Sequence, residues 1–177
     1  MDEVGTLRVV IAEDNYLVRE GLRRLLEDSG EIDVVASTGN ATELLDAVRR
    51  LAPDAVLTDI RMPPGHHMEG IEAARDIRAA HPETGVVVLS QHADESYALA
   101  LFSDGSAGLG YLLKDRIGDL EDLVHALREV CAGGLDALHV MARRHTDVGE
   151  HRVGGEAAHR VEQLGRVAGR GHDVDLA

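Results

Sequence analysis

A doubly wound α/β fold, with one five-stranded parallel sheet covered by helices on both faces, is what this sequence predicts, and three observations predict it. Five short runs rich in Val, Ile and Leu are each followed by an amphipathic segment, so strand and helix signals alternate through the first 134 residues. The runs are apolar at consecutive positions instead of every second one, as in strands buried on both faces. Parallel strands need right-handed helical crossovers, which place helices on both sides of the sheet. The composition agrees: 44% of residues are hydrophobic but only 2% aromatic, so the core must be built from Val, Leu, Ile and Ala. A length of 177 residues suits one ordinary domain, here 1–134, followed by a tail at 135–177 that is irregular or weakly helical.

LRVVIA (7–12) is the first strand, and NYLVREGLRRLLEDSG (15–30) the first helix, with Leu17, Val18, Leu22, Leu25 and Leu26 at helical spacing and Gly30 as its stop. IDVVAS (32–37) and NATELLDAVRRLA (40–52) form the second pair, ended by Pro53. AVLTD (55–59) is the third strand, and EGIEAARDIRAAH (69–81), stopped by Pro82, the helix after it. VVVLS (86–90) precedes ESYALALFSDG, and GLGYLL (108–113) precedes GDLEDLVHALREVCAGG.

In open parallel sheets the working site lies outside the carboxyl ends of the strands. That rim carries chemistry in this chain. The stretch VLTDIRMPP sets Asp59 at the end of the third strand; strand one runs into Glu13 and Asp14, strand four ends in Ser90, and strand five holds Tyr111 and leads to Lys114. Three convergent carboxylates repel one another unless a cation joins them, and hard oxygen donors in that number suit Mg2+. Lys114 adds a point charge for phosphate oxygens, and Ser90 adds a hydroxyl donor. The set supports phosphoryl transfer onto Asp59. Taken singly, Asp59 reads as a turn or capping carboxylate, Glu13 and Asp14 as a solvated pair, Ser90 as a strand-end hydroxyl and Lys114 as a surface charge. Their coincidence at successive strand ends favours a site.

The stretches VVIAEDN, AVLTDIRMP, VVVLSQ and GYLLKD resemble the receiver domain of two-component response regulators, from residue 7 to about 134. The resemblance implies a flavodoxin-like sheet of order 2-1-3-4-5. It implies that Asp59 accepts a phosphoryl group from a sensor histidine kinase, and that Glu13, Asp14, Asp59 and the Arg61 backbone carbonyl hold Mg2+. Lys114, Ser90 and Tyr111 are similar to the residues that report phosphorylation, while Arg61 and His92 stand where receivers tune phosphate lifetime. The surface formed by helix 4, strand 5 and helix 5 would then meet a partner or a second copy of the chain as a homodimer. GYLLKD, with Asp115 where many receivers have proline, resembles the NarL/LuxR type, whose members usually end in a DNA-binding helix-turn-helix.

The tail does not continue that pattern. LDALHVMARRH can serve as a linker helix, and EAAHRVEQLGRVA places Ala157, Val161, Leu164 and Ala168 at helical spacing, but the apolar face is thin and glycines interrupt it. The tail consists almost wholly of Leu, Asp, Ala, His, Val, Arg, Gly and Glu, whose codons begin largely with G or C. A genuine short extension and a GC-rich gene read out of frame are both compatible with that. His139, His145, His151, His159 and His172 are spaced too unevenly to stack on one helix face and read as compositional. The net charge is −14, nearly all of it before residue 135, and no basic stretch offers a footprint for DNA. DNA binding by this chain is therefore not expected from the tail.

The remaining features are plainer. Cys131 is the single cysteine, which fits a reducing compartment and a buried thiol. The acidic start MDEVGTLRVV lacks the features of a signal peptide, and no apolar run suggests a membrane span, so the expected location is cytoplasmic. PPGHHMEG lengthens the loop after Asp59 and hangs His66 and His67 near the site; a metal or pH role competes there with a solvated loop, and the solvated loop is the default reading because adjacent histidines do not face the same way and other ligands are lacking. A rival class, an aspartate-nucleophile phosphohydrolase, would also use Asp59 and Mg2+, but Arg61 stands where that class has its second carboxylate.

Overall fold

A computed structural model describes residues 5–91, 94–116 and 120–133. The elements are β1 (Leu7–Ala12), α1 (Tyr16–Asp28), β2 (Ile32–Thr38), α2 (Ala41–Leu51), β3 (Ala55–Asp59), α3 (Glu69–Ala80), β4 (Gly85–Ser90), α4 (Glu95–Phe102), β5 (Leu109–Leu113) and α5 (Leu120–Cys131). A single 3-10 turn, Lys114–Arg116, comes directly after β5. The sheet is wholly parallel with order β2-β1-β3-β4-β5, as the resemblance implies.

Polar side chains start the helices where the strands end. Asn15 accepts from the amides of Leu17 and Val18 at 3.0 and 3.2 Å and opens α1. Asn40 accepts from Glu43 N–H at 2.9 Å, while the Glu43 carboxylate reaches back to Gly39 N–H at 3.1 Å and secures the entry to α2. Helix ends match the expected stops: Gly30 adopts φ 70 just past α1, and Ala52 adopts φ 42 between α2 and Pro53.

Alternation along each strand divides the core in two. Val10, Ala12, Val56, Val86 and Val88 pack with Leu44 and Val48 of α2, Ile71, Ala74 and Ile77 of α3 and Leu101 of α4. Val9, Ile11, Ala55, Leu57, Val87 and Leu89 pack on the other face with Leu26 of α1 and Leu123, Leu127 and Val130 of α5. Two glycines let helices approach this closely: a Cβ on Gly70 would lie 1.8 Å from the Asp59 carbonyl oxygen, and one on Gly85 would lie 2.7 Å from the backbone of Val130.

Helix α1 departs from its hydrophobic spacing. Leu26 is fully buried and Leu22 packs beside it, but Leu17 is 78% exposed and Val18 and Leu25 also face solvent. At about 100° per residue, Leu17 stands on the opposite side of the helix from Leu26, nine positions on, so one sheet cannot cover both. Cys131 is half-buried instead of buried; its thiol lies 3.3 Å from the Asp54 carbonyl, and burial together with the nearby Asp54 charge pushes its pKa up to about 11. The tail from 134 onward and the proposed domain boundary lie outside the described residues. Among the described residues no helix is long and apolar enough to cross a membrane.

Candidate functional site

The site grows from the central strand. Every residue of β3 is buried, and Asp59, its last, is 8% exposed at the point where β3 leaves the sheet between β1 and β4. Two backbone bonds fix this exit: Ile60 N–H donates to Leu89 at 3.2 Å, and Gly70 N–H at the start of α3 donates to Ile60 at 2.8 Å. They set where the Asp59 carboxylate leaves the backbone. Its Oδ2 accepts from Arg61 N–H at 3.1 Å, and its Oδ1 lies 2.7 Å from Lys114 Nζ.

Lys114 arrives from the 3-10 turn after β5, two strands away from β3. Its Nζ also lies 2.6 Å from Glu13 Oε2, so one ammonium bridges the carboxylates that end β1 and β3. Glu13 is 3% exposed, and its Oε1 accepts from Asn15 N–H at 3.2 Å. Asp14, beside it, faces the open cleft. Glu13, Asp14 and Asp59 bring one carboxylate oxygen each within 4.8 Å of one another.

These neighbours shift each other's protonation. Burial raises the Glu13 carboxyl above its usual range; Lys114 counters this only in part, and the charge of Asp59 adds to the rise. Burial alone would lower the Lys114 ammonium, but its bonds to Asp59 and Glu13 outweigh that and hold its pKa above the usual value. The lysine is therefore charged at neutral pH.

Behind the rim, Ser90 closes β4 and Tyr111 sits in the middle of β5, both buried. Their side chains share a hydrogen bond, and burial raises the tyrosine hydroxyl's pKa in spite of it. Tyr111 is thus turned inward, 2% exposed, as part of the core under α4.

The structure brings Glu13, Asp14, Asp59 and Lys114 together, sets Ser90 on the same cleft, and places Tyr111 directly behind it. Arg61 is exposed at the rim, where its guanidinium meets Gln91 at 3.4 Å. His92 lies outside the described residues. Sequence reasoning missed two participants. Arg19 donates to the Glu13 carbonyl from one turn into α1, and Tyr97 of α4 lines the cleft. His66, expected near the site in a solvated loop, is exposed and lines the cleft with Nδ1 3.5 Å from Asp14 Oδ2. The length of its loop was the signal available for it. The cleft holds about 350 Å³, room for a phosphoryl group and its hydration.

Comparison with known proteins agrees with this geometry. The family described as the response regulator receiver domain matches residues 9–128. The transcriptional regulatory protein DegU of Brevibacillus brevis is 38% identical over 128 residues, covering 72% of this chain and 51% of DegU. The response regulator GacA of Pseudomonas aeruginosa is 34% identical over 127 residues, covering 72% of this chain and 56% of GacA. The chain thus spans about half the length of the curated relatives it matches. Among solved structures, the receiver domain of NarL from Mycobacterium tuberculosis is 30% identical with a TM-score of 0.64, covering 73% of this chain and 98% of that one. A LuxR-family response regulator from Aurantimonas sp. SI85-9A1 is 31% identical with a TM-score of 0.64, covering 81% and 100%. By fold, by cleft and by these matches, the chain belongs to the response regulator receiver domain family, among relatives of NarL/LuxR type.

Proposed function

We propose that Asp59 is the phosphoacceptor of a two-component relay and takes its phosphoryl group from a phosphohistidine of a sensor histidine kinase. The observation that carries this reading is the Lys114 bridge, 2.7 Å from Asp59 and 2.6 Å from Glu13, across a cluster of hard oxygen donors. The cluster suits Mg2+: three carboxylates face one small cleft with one lysine between them, leaving negative charge for a divalent cation to neutralise. Asp14 and Asp59 would hold the ion, with Glu13 and the Arg61 carbonyl completing its surroundings. When bound, it supplies compensation for the charge on the phosphoryl oxygens.

The chain's own residues do the rest. A carboxylate oxygen of Asp59 attacks phosphorus in line as the phosphorus–nitrogen bond to the donor imidazole breaks, and that imidazole leaves with the electron pair and takes up a proton. Lys114 keeps its contact with Asp59's side of the cleft and exchanges Glu13 for a phosphoryl oxygen. Arg61 N–H holds the second carboxylate oxygen and so orients the first. The same residues serve the reverse loss of phosphate to water, which makes the domain a switch that catalyses its own modification.

The added charge also draws the Ser90 hydroxyl. Ser90 shares a hydrogen bond with Tyr111, so its movement biases whether Tyr111 stays packed under α4, and with it the surface of α4, β5 and α5. That surface would meet a partner or a second copy of the chain, in the cytoplasm where the kinase's phosphohistidine is made. Residues 1–134 form the receiver in this reading, with 135–177 as an appendage.

Incubation with Mg2+ and a small acyl phosphate, followed by intact mass measurement, tests the proposal. One added phosphoryl group on the parent protein and none on Asp59→Asn is expected. No adduct on either protein would sink it.

A further inference from the structure

Arg19 stands in the first turn of α1, where the helix dipole disfavours a cation, and that turn carries no acidic residue to offset it. Among the described residues Arg19 forms no ion pair, although the chain's net charge is −14. Its guanidinium is instead held on three sides. Nη1 donates to the Glu13 carbonyl, Cζ lies 5.7 Å from the centre of the Tyr16 ring, and Nη1 is 3.4 Å from the position a Cβ would take on Gly39. Side chains of a helix lean toward its N-terminus, so the fourth residue of α1 reaches back past Asn15 to the end of β1.

The carbonyl that Arg19 holds belongs to the peptide unit joining Glu13 to Asp14. The unit is planar, so fixing its C=O fixes the plane from which the Asp14 side chain departs. The flanking units are tied as well: Glu13 N–H donates to Thr38 at 3.0 Å, and Asn15 N–H donates to Glu13 Oε1 at 3.2 Å. Asp14 itself is exposed on the cleft, with a carboxylate oxygen within 4.8 Å of those of Glu13 and Asp59. Packing does little to fix an exposed carboxylate, and its backbone is what places it.

We propose that Arg19 is a positioning residue for the divalent-cation site: it holds the Glu13–Asp14 peptide so that the Asp14 carboxylate is set for the ion in advance. The inference rests on the proposed cation site of the phosphoacceptor cleft and adds to it a residue outside the ligand set. The sign of its effect separates positioning from charge. A guanidinium beside an acidic cleft repels a cation, so by charge alone its removal tightens Mg2+ binding. Loss of a group that orients a ligand weakens binding.

Titration calorimetry of the full chain with MgCl2, on the parent, Arg19→Met, Arg19→Lys and Asp14→Asn, decides the matter. Methionine keeps a helix-compatible stem and removes the charge and the donors, whereas lysine keeps the charge and a donor. Arg19→Met is expected to weaken Mg2+ binding on the order of tenfold, and Arg19→Lys to recover part of that loss. Phosphorylation from acetyl phosphate should need correspondingly more Mg2+ for half its maximal rate, with the rate at saturating Mg2+ within about twofold of the parent. No kinase is present, so a role of α1 in kinase docking would move neither readout. Unchanged or tighter Mg2+ binding by Arg19→Met overturns the role of Arg19, and so does binding by Arg19→Lys no tighter than by Arg19→Met. A lower saturating rate at an unshifted Mg2+ dependence assigns Arg19 to general structure and likewise overturns the proposal. If Asp14→Asn abolishes binding in any of these cases, the cation site stands without Arg19. Mg2+ binding that persists unchanged in Asp14→Asn would instead overturn the cation reading itself, and the inference with it.

Discussion

Lys114 Nζ lies 2.7 Å from Asp59 Oδ1 and couples the turn after β5 to the end of β3, across the intervening β4. The same ammonium reaches Glu13, so removing it leaves two largely buried carboxylates facing each other. Lys114→Ala is expected to lower stability by about 2–3 kcal/mol near neutral pH, less than for a fully buried pair because the lysine keeps some solvent contact. Urea unfolding in a chelator-containing buffer measures it, and the loss should shrink in acid, where Glu13 takes up a proton.

Glu13 gives a pH dependence with a definite sign. Its folded pKa is raised above the ordinary value of 4.5, so the folded state binds its proton more tightly than the unfolded chain does. Its contribution to stability is therefore fully present below 4.5 and is lost as pH rises through the folded value. Without divalent cations, Glu13→Gln should remove that part of the pH slope while keeping an acceptor for Asn15 N–H. Unfolding free energies measured at a series of pH values check this; an unchanged slope would contradict it.

Ser90 and Tyr111 share their hydrogen bond inside the core. Tyr111→Phe keeps the ring and removes the hydroxyl, with an expected cost of about 1 kcal/mol. Phosphorylation of Asp59 should persist in this variant, because Tyr111 stands behind the cleft and not in it. Denaturation and intact mass, run on the same preparation, separate the two effects.

Gly70 admits the start of α3 to the backbone of Asp59 at a distance no side chain allows. Gly70→Ala should cost about 3 kcal/mol or more, beyond ordinary overpacking, since the obstacle is a backbone carbonyl. It should also displace Asp59 and slow its phosphorylation from a small acyl phosphate, which a time course by intact mass would show.

Helix α1 separates spacing from burial. Leu26→Ala should cost about 2–5 kcal/mol, whereas Leu17→Ala should stay within about 0.5 kcal/mol, because Leu26 is fully buried and Leu17 is 78% exposed. Thermal denaturation of the two variants distinguishes them directly.

That contrast shows how far the sequence could be followed. The strands were legible because the central ones are apolar on both faces, and Asp59, Glu13, Ser90 and Lys114 stood out because their strand ends fall on one rim. A helical wheel is less decisive: it orders Leu17, Val18 and Leu25 by angle but does not say how wide a stripe the sheet covers. The length of the loop after Asp59 brings His66 near the rim, but that it meets Asp14 depends on how the tied loop folds back. The sharing of Lys114 between Glu13 and Asp59, and the half-exposure of Cys131 beside Asp54, likewise arise only when distant segments meet.

The central claim is that Asp59 carries the phosphoryl group. Borohydride reduction of the protein after treatment with Mg2+ and a small acyl phosphate converts an aspartyl phosphate to homoserine, and peptide mass mapping then locates it. Homoserine at position 59, dependent on the phosphate donor, is the expected finding. Homoserine at Asp14 or another aspartate, with residue 59 still aspartate, would contradict that claim.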